Sequence, residues 1–169
     1  MVQANLQRKF KRYSQVAVSA GLTGREVAEK MLRDHGITDV QVISTPGQLT
    51  DHYNPTTHTV NLSEGVYESC SVAAAAVAAH ECGHAVQHQY AYAPLRLRSS
   101  LVPVVQVASR WTPWLLLGGI LTLTIFPQIL LAGIILFALT TLFSFVTLPV
   151  EIDASRRAIA WLQGAGITS

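Results

Sequence analysis

The sequence predicts a mainly α-helical α+β fold. Residues 1–169 are read as one membrane-embedded domain, with a transmembrane helical hairpin at 107–148 inserted between two helices of a part that also carries a small β-hairpin. Three observations predict it. Trp111 to Val150 runs forty residues without Asp, Glu, Lys, Arg or His, where one bilayer-spanning helix needs about 20. Val72 to Tyr90, VAAAAVAAHECGHAVQHQY, sets an alanine-rich run against His80, Glu81, His84 and His88. Val40 to Glu64 contains two stretches that alternate as strands do.

Composition agrees. The 169 residues are 50% hydrophobic, high for a soluble domain of this size. A net charge of +2 is too small to imply a nucleic-acid partner. Cys70 and Cys82 are twelve positions apart on one expected helix, about 18 Å along its axis, so they cannot pair; no disulfide framework is expected, in agreement with a reducing compartment. Met1 to Tyr13 has no apolar run ahead of its charges, and a signal peptide is not expected there.

The elements follow in order. Leu6 to Ala20 is basic and begins as a short helix. Thr23 caps the next helix with Glu26 three residues on as a capping box; Val27, Met31 and Leu32 give its apolar face and Gly36 its stop. VQVIST reads as a strand. QLTDHYNPTTHTVNLSE reads as a hairpin turning at Asn54, Pro55 and Thr56, a polar pair of arms suited to a sheet edge. Ser63 is placed to cap a short turn through Tyr67, and the alanine-rich helix starts near Ser69 to Ser71.

Phe126, Pro127 and Gln128 interrupt the long apolar run, which predicts spans near Val107 to Phe126 and Ile129 to Leu148. A hairpin buried in a soluble protein is the alternative. Arg8, Lys9, Lys11, Arg12, Arg96 and Arg98 precede the first span, Arg110 stands in its first turn ahead of the uncharged run, and Arg156 and Arg157 follow the second, while the turn has no basic residue. Both ends of the hairpin, and the globular part attached to them, are therefore expected on the cytoplasmic side of the membrane. Trp111, Trp114 and Trp161 read as interface or core rings, and the Ala73 to Ala76 run as a contact surface for the spans.

His80 and His84, four apart, project from one helix face and can grip the same ion. Glu81 between them is turned toward a water on that ion, where a carboxylate takes a proton; H-E-x-x-H is the arrangement of metal-assisted peptide hydrolysis. The alternative, surface histidines beside a solvated glutamate, leaves their place in an apolar helix unexplained. His88 lies about 12 Å from His80 along the axis, which suits a surface or supporting role. Gln87 and Ala91 stand where an extended H-E-x-x-H-x-x-G-x-x-H motif needs glycine and histidine.

The third ligand must come from elsewhere. Glu151, directly after the second span in LPVEIDASRRAIAW, is the leading candidate; Asp153 is its rival, and His52, His58 and Glu64 are weaker ones. Glu151 as a carboxylate at a helix N-terminus, favoured by the dipole, is the other explanation. Tyr53, His52 and Arg156 are candidates to stabilise charge at the reacting carbonyl, against ordinary edge packing for the first two.

GLTGREVAEKML, LTDHYNPTTHTVNLSE, AVAAHECGHAVQH, YAPLRLRSSLVPV and TLPVEIDASRRA, in this order, resemble the YugP-like family of bacterial neutral zinc metallopeptidases over nearly the whole chain. The resemblance implies a zincin-like metallopeptidase core, zinc as cofactor, His80, His84 and Glu151 as ligands and Glu81 as the catalytic base. The E-x-x-A spacing is similar to the wider gluzincin group of membrane peptidases, in which an Asp commonly follows the ligand Glu by four residues. Ser155 stands at that place here, and Asp153 is the residue that could substitute for it.

The function expected is a membrane-bound zinc endopeptidase acting on peptide or membrane-protein substrates at the bilayer surface. The strand edge at Asp51 to Ser63 would receive an extended chain. The alternatives are an inactive zinc-binding scaffold or chaperone-like binder, and a structural zinc site, which normally closes its fourth position and has no use for Glu81.

Overall fold

The computed structural model describes residues 2–167, with side chains for residues 4–167. The chain divides into two compact units, Met1–Tyr90 with Ile152–Ser169 and Ala91–Glu151.

The first unit opens with α1 (Val2–Tyr13) and α2 (Gly24–Asp34). The capping box forms: Thr23 Oγ1 accepts from the Glu26 N–H at 3.2 Å, and the Glu26 carboxylate accepts from the Thr23 N–H at 2.8 Å. Gly36 ends the turn at φ +69°, a left-handed conformation that costs glycine nothing. The predicted strand and hairpin become β1 (Gln41–Thr45), β2 (His52–Asn54) and β3 (Thr59–Ser63). β3 pairs antiparallel with β2 and also parallel with β1, giving the order β1-β3-β2. The central place of β3 follows from its apolar residues, since Val60 and Leu62 are wholly buried; the more polar β2 is left at an edge.

Ser63 differs from its expected role. It precedes α3 (Glu64–Tyr67) without capping it; its N–H and hydroxyl instead donate to the Asp51 carboxylate at 2.7 and 3.0 Å, tying the start of β2 to the end of β3.

The alanine-rich segment is α4 (Val72–Gln89), begun by Ser71, whose hydroxyl accepts from the Ala74 N–H. Ala74, Ala75, Ala78, Ala79, Cys82 and Val86 form one core with Val27, Ala28 and Met31 of α2. The alanines thus serve a helix contact inside this unit: side chains of one carbon let two helices approach closely. Cys70 and Cys82 are both free thiols.

The second unit holds α5 (Ala93–Leu121) and most of α6 (Pro127–Gly164). They form a helical hairpin in which a side chain at Gly119 would meet the Leu130 backbone at 2.5 Å. The break falls at residues 122–126, ahead of its expected centre, because Pro127 opens α6 instead of interrupting it; proline lacks only an N–H that a first helical turn leaves unbonded anyway. The helical part of the first expected span, residues 107–121, is then about 22 Å long, short of a hydrocarbon core of about 30 Å. Among the described residues α6 is the one helix long and apolar enough to cross a membrane.

From Ile152 onward α6 belongs to the first unit, where Ala158 and Leu162 enter the core. Trp161, read as an interface or core ring, donates its indole N–H to Asp34 at 3.1 Å.

Candidate metal centre

His80, Glu81 and His84 lie in the middle of α4, where a buried helix holds their backbone rigid. The two imidazole rings are 4.9 Å apart between centroids and nearly perpendicular. His84 is 6% exposed and Glu81 8%. Such burial is costly for polar side chains without partners, so their bonds define what the site can do.

Each histidine has a partner on Nδ1. His80 Nδ1 lies 3.2 Å from Ser155 Oγ, and His84 Nδ1 lies 3.0 Å from Gln87 Oε1. The amide oxygen can only accept, so His84 carries its proton on Nδ1 and its lone pair on Nε2. The Ser155 hydroxyl accepts equally well from His80. Gln87, wholly buried, passes the contact on by donating from Nε2 to Asp153 Oδ2 at 2.8 Å, and Arg157 Nε donates to the same oxygen at 2.7 Å. Ligand imidazoles are usually fixed by such outer partners. Two imidazoles able to present Nε2 from one helix face, with a carboxylate between them, fit a zinc ion by donor chemistry.

The approach of α6 to α4 depends on Gly83, within the HECGH pentapeptide. A Cβ there would lie 2.7 Å from the Ala154 carbonyl oxygen, so only glycine lets the segment bearing Asp153 and Ser155 sit this close.

Glu81 Oε2 accepts from the Tyr53 main-chain N–H at 3.0 Å. Burial pushes the Glu81 carboxyl above its ordinary range, a trend that His84, His80 and the Tyr53 N–H partly oppose. Tyr53 directs its hydroxyl elsewhere, to His88 Nδ1 at 3.0 Å; burial, with the Asp39 charge adding, raises that phenol to about 12.

The other expected residues are distributed as follows. Asp153 and Ser155 stand behind the two histidines. His52 is exposed, with Nδ1 bonded to the Thr50 carbonyl at 2.7 Å, and Arg156 and Glu64 are also exposed. His58 is bonded to Asp39 at 2.8 Å. Cys82 donates its thiol to the Ala28 carbonyl in the core contact with α2, and burial pushes that thiol above its ordinary value. Glu151 lies on α6 one turn before Ser155, on the same helix face. Within the hairpin unit Arg98 Nη2 meets Glu151 Oε1 at 3.2 Å.

Gln87 and Arg98 are partners that sequence reasoning misses, while His88, expected in a surface or supporting role, bonds the Tyr53 hydroxyl. Gln87 carried a signal: an amide three residues after a candidate ligand, inside an apolar helix, needs a buried partner.

The family described as "Putative neutral zinc metallopeptidase" matches residues 1–169. The chain belongs to that family. It is 46% identical over 156 residues, 92% of this chain and 68% of the relative, to "Putative membrane protease YugP" of Bacillus subtilis (strain 168). No solved structure matches. A zinc metallopeptidase family accords with two imidazoles held ready on one face of α4.

Proposed function

We propose that this chain is a membrane-bound zinc endopeptidase of gluzincin type, with a zincin-like core in which His80, His84 and Glu151 hold the ion and Glu81 is the catalytic base. The observation that carries the reading is the pair of imidazoles on α4 whose Nδ1 partners, Ser155 and Gln87, turn Nε2 toward a common ligand. Support for Glu151 comes from the continuity of α6, which sets it one turn from Ser155. Two imidazoles and a carboxylate are also a donor set that suits a catalytic zinc ion.

A zinc ion so held supplies Lewis-acid polarisation of the scissile carbonyl and lowers the pKa of water toward about 7. The chain's own residues do the rest. Glu81, anchored by the Tyr53 N–H at Oε2, takes a proton from the attacking water through its other oxygen and returns it to the leaving amine. Its raised proton affinity suits both transfers. Gln87, held by Asp153, fixes the His84 tautomer, Ser155 orients His80, and Arg98 orients Glu151. His52, Tyr53 and Arg156 remain the candidates for contact with substrate, Tyr53 through its main-chain carbonyl, since its N–H is held by Glu81, with an extended peptide lying along the β2 edge.

That Glu151 directly follows the apolar part of α6 supports a reaction near a bilayer surface. Substrates are therefore peptides or proteins tethered to the membrane. Both arms of the hairpin cross it, the first completed by the residues ahead of Val107 in α5, a helix from Ala93 onward, and the globular unit lies on the cytoplasmic side of the inner membrane, as the arginines flanking the hairpin favour.

The test is cleavage of an unfolded reporter peptide, membrane-tethered or free, by the full chain in nanodiscs. Zinc-dependent cleavage favouring the tethered form, and abolished by Glu81→Gln with zinc still bound, is expected. Full activity in Glu81→Gln would overturn the mechanism. A zinc-loaded protein that cleaves neither form would favour a scaffold.

A further inference from the structure

One cluster in the globular unit takes no part in metal binding or proton transfer: Asp39, His58, His88 and the Tyr53 hydroxyl. His88 Nδ1 and Tyr53 Oη are 3.0 Å apart, with the rings 5.8 Å apart. His58 meets the other side of His88 edge-on at 5.6 Å and 88°, and is itself held by Asp39 at 2.8 Å. His58 has φ +51°, a left-handed conformation that a residue with a side chain adopts at some cost. The turn accepts this cost and places an imidazole against His88.

The geometry assigns His88 as a positioning residue for the general base, acting through Tyr53. Tyr53 grips α4 at two points: its main-chain N–H donates to Glu81 Oε2 at 3.0 Å, and its hydroxyl meets His88. Glu81 and His88 are seven residues apart, two turns along one helix face and about 10.5 Å. β2 has three residues and lies at the sheet edge, too little pairing to define by itself where one N–H points. With the hydroxyl held, rotation and sliding of the strand on α4 are blocked, and the N–H keeps one Glu81 oxygen fixed while the other faces the water. A base displaced by about 1 Å loses on the order of 100-fold in rate, so a contact two turns from the chemistry can govern it.

This inference rests on the peptidase reading, and its test separates the two. The full chain, zinc-loaded in nanodiscs, is compared with Tyr53→Phe, His88→Leu, the double variant and His88→Gln, reading kcat, KM, zinc content and amide hydrogen exchange at Tyr53. The expected result is a fall in kcat of about 10- to 100-fold in either single variant. KM and zinc content should stay unchanged, the double variant should be no worse than one single, and His88→Gln should regain most of the rate. Exchange at the Tyr53 amide should accelerate at least about tenfold with His88→Leu, as a released edge strand would. Unchanged kcat, losses that multiply in the double variant, or a change in KM alone would overturn the assignment. If the unaltered protein cleaves nothing, the peptidase reading falls by itself. Exchange then still decides the tether, and an unchanged Tyr53 amide in His88→Leu would refute it.

Discussion

Ser155 Oγ lies 3.2 Å from His80 Nδ1, joining the last part of α6 to the first histidine of HECGH. A hydroxyl is a weaker acceptor for an imidazole N–H than a carboxylate. Ser155→Ala should therefore weaken zinc binding about tenfold, the low end of losses for such partners. Ser155→Asp should bind at least as tightly as the unaltered chain. Competition with a chromophoric chelator measures both, and equal affinity for all three would remove Ser155 from the site.

Gln87 is wholly buried between His84 and Asp153. Gln87→Leu keeps the volume but leaves the His84 Nδ1 and the Asp153 oxygen short of a partner. The expectation is a loss of about 10- to 100-fold in zinc affinity with helix content unchanged by circular dichroism.

The Asp153 carboxyl gives a pH signature. Burial alone would raise its pKa, but the bonds from Arg157 and Gln87 outweigh burial and hold it below the ordinary range. A carboxyl lowered on folding contributes stability that is complete above its unfolded value and is lost as pH falls through the folded one. Unfolding midpoints measured downward from pH 6 should thus fall in the acid range, at and below the ordinary Asp pKa of about 3.9. Asp153→Asn should flatten that part of the profile.

Gly83→Ala sets two effects against each other. Alanine improves helix propensity by about 1 kcal/mol, yet its Cβ would lie 2.7 Å from the Ala154 carbonyl, and overpacking costs about 1 to 3 kcal/mol. The clash is with backbone, which cannot rotate away. A lower thermal midpoint and weaker zinc binding are expected together, because the displaced segment carries Asp153 and Ser155.

What was legible in the sequence was local. The Thr23 and Glu26 capping box, the Gly36 stop, the β2-β3 hairpin and the one-face placement of His80 and His84 depend on residues within a few positions of one another. The parallel pairing of β1 with β3 does not, and nothing in the alternation of Val40 to Thr45 names its partner. The relay from His84 through Gln87 to Asp153 joins residues 66 positions apart in its second bond. The sequence offers Asp153 as a substitute for an Asp at position 155, whereas the fold sets Ser155 on His80 and Asp153, through Gln87, behind His84. Tyr53 was weighed as a charge-stabilising group, yet its hydroxyl is taken by His88. Trp111 to Val150 announces a helical hairpin, but the turn residues before Pro127 end its first arm at Leu121 instead of Phe126.

The most direct measurement of the central claim is zinc content per chain by elemental analysis of purified protein, for the unaltered chain, Glu151→Gln and Asp153→Asn. One zinc in the unaltered chain and in Asp153→Asn at saturating metal, with zinc lost only in Glu151→Gln, is the predicted result. Retention of zinc in Glu151→Gln, or no zinc in the unaltered chain, would contradict the His80, His84 and Glu151 centre.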